Sequence, residues 1–115
     1  MILPNVGELN RRADFYKVQT RAISGGKHET TERPFWSCWA KIEVIGGVTY
    51  WDNVQTSEAV THRIYIRYVV GKTRPQDLGN QIEIVIDGCR YRSKRVTDVN
   101  SAGRFTLLEC EVLDG

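Results

Sequence analysis

The stretch Val60-Thr-His-Arg-Ile-Tyr-Ile-Arg-Tyr-Val69 alternates without interruption. Ile64, Ile66 and Tyr68 fall on one side, and Arg63, Tyr65 and Arg67 on the other. A strand turns successive side chains to opposite faces, whereas a helix would spread these residues around its axis. The spacing therefore predicts a half-buried β-strand, its isoleucines in a core and Tyr65 facing out between two arginines. A chain organised around such a strand is of the β class.

Other segments follow the same rule. Arg12–Thr20, with Phe15, Tyr16 and Val18, reads as a first strand, and the polar run Arg21–Arg33 around Gly25-Gly26 as a loose connection or hairpin tip. In Phe35–Val44, Trp36, Cys38, Ala40, Ile42 and Val44 form one face, with Phe35, Trp39, Lys41 and Glu43 opposite. Val48–Ala59 lacks strand alternation. Its Tyr50, Trp51 and Val54 stand at helical spacing, so a long loop or a short helix is expected there. Gly71–Gln81 reads as a loop. Ile82–Ile86 alternates with its isoleucines inward, and Asp87-Gly88 is the residue pair a two-residue hairpin favours. Cys89–Val99 returns as its partner. Tyr91 and Val96 have opposite parity, so burying both requires a bulge near Ser93–Lys94. Arg104–Leu113 closes the chain, with Glu109 and Glu111 on its outer face. About six short antiparallel strands predict an all-β single domain over residues 1–115, a small closed or partly open β-barrel.

Composition narrows the function. The chain has 115 residues, 41% hydrophobic and 26% charged, as expected of one globular domain. A net charge of +2 is too small to indicate a nucleic-acid binder. Cys38, Cys89 and Cys110 are odd in number and widely spaced, which fits reduced thiols rather than a disulfide framework or a zinc site. No apolar run has the length of a membrane span, and the N-terminus lacks the pattern of a secretory signal. His28 and His62 stand apart, the carboxylates form no cluster, and no phosphate loop or nucleophile motif is present. The reading is a non-enzymatic protein without metal or cofactor.

Two features point to binding. Tyr50, Trp51, Asp52, Asn53 and Val54 place aromatic residues in a long connection, a composition found at protein interfaces. The basic run Arg90, Arg92, Lys94 and Arg95, with Tyr91 among them, could follow a nucleic-acid backbone. The alternative is a solvated face, or one paired across strands with Glu83, Glu109 or Glu111.

Several motifs, taken in order, resemble a known family. They are Gly7-Glu8-Leu9 with Arg12, Trp39-Ala40-Lys41-Ile42-Glu43, Thr61-His62-Arg63-Ile64 running into Ile66-Arg67-Tyr68, Asp87-Gly88-Cys89-Arg90-Tyr91, Val96 with Asp98, and Leu107-Leu108-Glu109-Cys110. Together they look like the small head–tail joining proteins (adaptors or stoppers) of long-tailed bacteriophages and prophages. Gly71–Gln81 is longer than the connection usual there, and Ser93 stands where an apolar residue is usual. The resemblance implies a β-barrel subunit, made in the bacterial cytoplasm, that joins a ring at the virion head–tail junction. Its implied partners are copies of itself, a portal or adaptor protein, a tail-terminator or tail-completion protein, and packaged DNA in the channel, with no membrane. The segment Gly46–Ala59 corresponds to a loop that projects towards that channel. Arg63, Tyr65 and Arg67, set against Glu83, Glu109 and Glu111, are the candidate subunit interface, since a ring needs two different faces meeting head to tail.

Overall fold

The computed structural model describes residues 4, 6–23, 25–45, 50–51, 54–55, 60–79 and 81–113. Its strands are β1 (Arg11–Ile23), β2 (Lys27–Val44), β3 (Tyr50–Trp51), β4 (Val54–Gln55), β5 (His62–Arg67), β6 (Ile82–Ile86), β7 (Cys89–Asp98) and β8 (Phe105–Val112), with one helical turn, α1 (Pro75–Leu78). Six strands close into an antiparallel barrel in the order β1-β2-β5-β8-β7-β6. Closure comes from β1, which pairs with β2 on one side and with β6 on the other, Ala13 opposite Ile86 and Phe15 opposite Ile84.

A barrel of this size is filled by its own side chains. Ala13, Phe15, Ala40, Ile64, Ile66, Ile84, Ile86, Leu108 and Cys110 form that interior, with Leu78 of α1 buried among them. Two bulges make the filling possible. Phe35 is unpaired where Phe15 meets Trp36 and Tyr16 meets Pro34, so Phe35 and Trp36 both pack on the core although they are sequence neighbours. Lys94 is unpaired between Ser93 and Arg95, which lets Tyr91 and Val96 both face inward.

Several expectations change. Of the two readings of 21–33 the hairpin tip holds, and it is longer than expected: β1 and β2 continue through the run as a two-stranded arm that turns at Gly25-Gly26. β6 accompanies the arm only as far as Lys17 opposite Ile82. The alternation rule misses the extension because an arm with no core beneath it needs no apolar stripe. Phe35 joins the core rather than the outer face, and Val44 is 75% exposed, so the β2 stripe ends at Ile42. The loop 71–81 contains α1, started by Pro75 and by an Arg74–Asp77 capping pair. Where a short helix was one expectation, Tyr50–Trp51 and Val54–Gln55 instead pair antiparallel.

The largest correction concerns Tyr65. It lies on the outward side of β5 as alternation requires, yet it is 4% exposed. Leu107 sits directly opposite on β8, and Leu9, Val99 and Phe105 complete a second apolar cluster outside the barrel wall. The covering residues come from distant parts of the chain, so the strand's own pattern could not show them.

Phe15→Ala removes the largest side chain of the interior and is expected to cost about 3–5 kcal/mol in urea unfolding, while Val44→Ala changes stability by less than about 0.5 kcal/mol.

Candidate assembly surface

The two ends of the barrel differ. At one end β2 stops at Val44 opposite His62 of β5, and a backbone hydrogen bond from Ile45 N–H to the Thr61 carbonyl (2.9 Å) clamps the feet of the β3–β4 insertion. Asp87 and Gly88 turn at this end, and Asp87 accepts a 2.7 Å hydrogen bond from Arg11. The other end carries α1, the turn after β5, the 3-10 turn Val99–Ser101 and the projecting arm. The backbone of Tyr50, Trp51 and Val54 is described and their side chains are not; Asp52 and Asn53 lie outside the described residues.

On the barrel wall the basic strand is internally matched. Arg90 reaches Glu83 and Glu32, each at 2.7 Å. Arg92 lies 3.8 Å from Glu83, Lys94 3.8 Å from Glu111, and Arg95 3.0 Å from Glu109. Register explains this. Arg92 stands opposite both Glu83 and Glu111, and Arg95 opposite Glu109, so complementary charges meet across β6, β7 and β8. Glu83 is itself buried, and its hydrogen bond holds the Arg90 guanidinium even more firmly protonated than usual.

Around Tyr65 lies a second network. Lys41 donates to Glu8 at 2.6 Å, sits 3.7 Å from Glu43 and lies over the Tyr65 ring at 5.7 Å. The Glu8 hydrogen bond raises the Lys41 pKa; burial, then the Glu43 charge, raises that of Tyr65. Arg63 is half-buried, and its Nε has no hydrogen-bond partner. Arg67 is exposed and has no side-chain partner among the described residues.

Burial keeps two of the cysteines inert. Cys38 is pushed up to about 11 by burial, and burial raises Cys110 further still, so both thiols stay protonated. Among the described residues no group of three or more His, Cys, Asp or Glu could hold a metal ion.

Over residues 4–113 the sequence matches the phage head completion protein family. The chain belongs to that family. It is a structural virion component of the head–tail region. Among solved structures, a chain of the virion of a native gene transfer agent (GTA) particle superposes with a TM-score of 0.58 at 18% identity, over 90% of this chain and 96% of that one. That likeness shows a shared fold. Among curated proteins, none matches the sequence.

In this head completion protein the residues singled out from sequence are scattered around the barrel. Arg90, Arg92, Lys94 and Arg95 meet Glu83, Glu109 and Glu111, while Arg67 lies at the far rim of β5 and the β3–β4 insertion emerges from the opposite end. Sequence reasoning passed over Val69, Val70, Lys72 and Arg104. The usable signal was the apolar pair Val69-Val70 just before Gly71, with cations on both sides.

His62 provides a pH test of this geometry. Its ring packs edge-on against Tyr91 (4.8 Å between centroids), its Nδ1 shares a 2.8 Å hydrogen bond with the Thr61 hydroxyl, and burial lowers its pKa. A histidine depressed on folding leaves stability unaffected above its unfolded value, about 6.5, and loses stability below it because the unfolded chain takes the proton first. The melting temperature of the wild type is expected to fall relative to His62→Gln as the pH drops below about 6.5. Parallel curves would show that His62 is not desolvated.

Proposed function

We propose that this head completion protein forms a ring at the head–tail connector, beneath the portal, presents a docking face to the tail, and uses the Gly46–Ala59 insertion to help retain packaged DNA. The observation that carries this reading is the family match over 4–113 together with a closed barrel that has one insertion clamped at a single end. A barrel without free edges can be placed side by side with copies of itself without strand-to-strand aggregation. A hairpin of 14 residues reaches at most roughly 20 Å from its feet, a useful span for narrowing a channel.

The remaining partner readings follow from that placement: a portal or adaptor protein on the head side, a tail-terminator or tail-completion protein on the other, and DNA on the axis. A ring interface that sets Arg63, Tyr65 and Arg67 against Glu83, Glu109 and Glu111 has to exchange pairs already made within the chain, and Tyr65 is covered. Of the three, Arg67 is exposed and has no side-chain partner of its own among the described residues, so only the glutamate side of such a contact would have to break a pair. The ion pairs also weigh against the basic strand 90–95 as an independent DNA-binding surface, because its charge is largely neutralised by Glu32, Glu83, Glu109 and Glu111.

Removing the gene from the phage that encodes it is expected to yield heads that package DNA but lose it, beside free tails, when particles are viewed by electron microscopy. Intact tailed particles would overturn the proposal. Replacing 46–59 by a two-glycine turn should leave the barrel folded, since the Ile45–Thr61 clamp remains. The resulting particles are expected to assemble but leak DNA. Full DNA retention would remove the channel role.

A further inference from the structure

The rim at the α1 end presents two aliphatic side chains to solvent. Val70 is 72% exposed and Val69 37%. Their exposure is built in. The Thr73 hydroxyl accepts from the Val69 N–H at 2.7 Å and donates to the Arg67 carbonyl at 2.7 Å. The buried Thr106 hydroxyl donates to the Thr73 carbonyl at 2.8 Å, and the Lys72 N–H returns to the Val69 carbonyl at 3.0 Å. Gly71 takes a φ of +81°, a conformation that suits glycine and turns the chain sharply after Val70. Thr73 is 1% and Thr106 0% exposed, so the turn is anchored from beneath in the barrel wall. These hydrogen bonds hold the turn in a form that leaves its valines facing outward.

Cations surround the valines. Arg67 immediately precedes the turn and pairs with Phe105, Tyr68 N–H bonds the Arg104 carbonyl at 3.0 Å, and Lys72 lies within the turn. Arg67, Lys72 and Arg104 are all exposed and have no side-chain partner among the described residues. Arg74 next to them is already matched by Asp77 at 2.7 Å. The rim thus combines an apolar tip with uncommitted positive charge, on a chain whose other basic stretch is largely matched.

We infer that this rim, Val69 and Val70 with Arg67, Lys72 and Arg104, docks onto a different virion protein whose surface offers an apolar depression edged by carboxylates. The inference rests on the virion placement proposed above. Charge complementarity selects the occupant. Every described carboxylate of this chain is engaged internally: Glu32, Glu83, Asp87, Glu109 and Glu111 with basic side chains, Glu8 and Glu43 with Lys41, Asp77 with Arg74, Asp14 with the Ser37 hydroxyl, and Asp98 with the Gly103 N–H. Glu29 is engaged as well. On the described surface of a second copy most carboxylates are therefore already met by a cation, Asp14 and Asp98 being held by neutral donors instead, which favours a different protein as the acidic counterpart. A nucleic-acid backbone would satisfy the cations but leave the two valines against phosphates, where burying them gains nothing. An apolar tip within a charged rim is the layout of a protein interface, with a dry centre and a polar margin.

The test places a photo-crosslinking amino acid at Val70 and irradiates assembled particles. Adducts are separated and sequenced by mass spectrometry. The expected result is one adduct, to another virion protein, on a peptide containing Asp or Glu. In parallel, the triple variant Arg67→Glu, Lys72→Glu, Arg104→Glu should enter particles about tenfold less well than wild type, as expected when several rim charges oppose an acidic surface. Arg12→Glu, at the opposite end of the barrel and without an ion pair among the described residues, serves as the control for general charge effects. An adduct to a second copy of this chain, an adduct to DNA, or no adduct in particles that contain the protein would each overturn the inference. Wild-type protein missing from particles altogether would instead overturn the virion placement, so the two failures are distinguishable. If the triple variant misfolds, the crosslink at Val70 still decides.

Discussion

The pairing of β1 with β6 is the constraint on which the rest of the structure depends. Once Ala13 stands opposite Ile86 and Phe15 opposite Ile84, the six strands close and the sheet has no edge along the barrel. Closure fixes register, and register fixes which side of each strand is inside, because a slip of one residue reverses every side chain. Phe15 is then fully buried, in one cluster with the small Ala13 and Ala40. The bulges at Phe35 and Lys94 bend long strands at the points where the wall must curve. Only beyond Lys17, where β6 ends, do β1 and β2 run on as a ribbon with open backbone edges.

Charge follows the same geometry. Antiparallel register brings Glu83, Glu109 and Glu111 beside the basic residues of β7, so a run that looks cationic in one dimension becomes a set of cross-strand pairs in three. Where such pairs lie open to solvent each contributes little, typically less than about 1 kcal/mol. Their larger effect is to remove β7 from the list of surfaces with charge to spare. Part of what is left over, Arg67, Lys72 and Arg104, lies at the α1 end, away from the clamped insertion. The two ends of the closed wall thus differ in character, an arrangement suited, in the proposed role, to a part that meets different neighbours above and below.

How much of this could be read in the sequence depended on where each residue found its partners. Ile64, Ile66, Ile82, Ile84 and Ile86 declare the core because alternation is a local signal. The Ser93–Lys94 bulge was legible because Tyr91 and Val96 could not otherwise both be inside. The arm escaped because polar ribbons need no stripe. Tyr65 escaped because Leu9 and Val99, which cover it, are far away in sequence, although Leu107 and Phe105 on the outer parity of β8 were a sign that this face is dry. Val70 escaped for the opposite reason: an exposed aliphatic residue is recognised only when the hydrogen bonds of Thr73 and Thr106 show that it is held there.

The central claim is that a closed barrel serves here as a ring subunit, with its insertion turned to the axis and its α1 rim to a neighbouring protein. Electron cryomicroscopy of the intact particle tests it most directly. The account predicts a ring of these barrels at the head–tail junction, with density from 46–59 converging on the axis and the Val69–Val70 turn seated against another protein. Barrels absent from the junction, or insertions pointing outward from the ring, would contradict it.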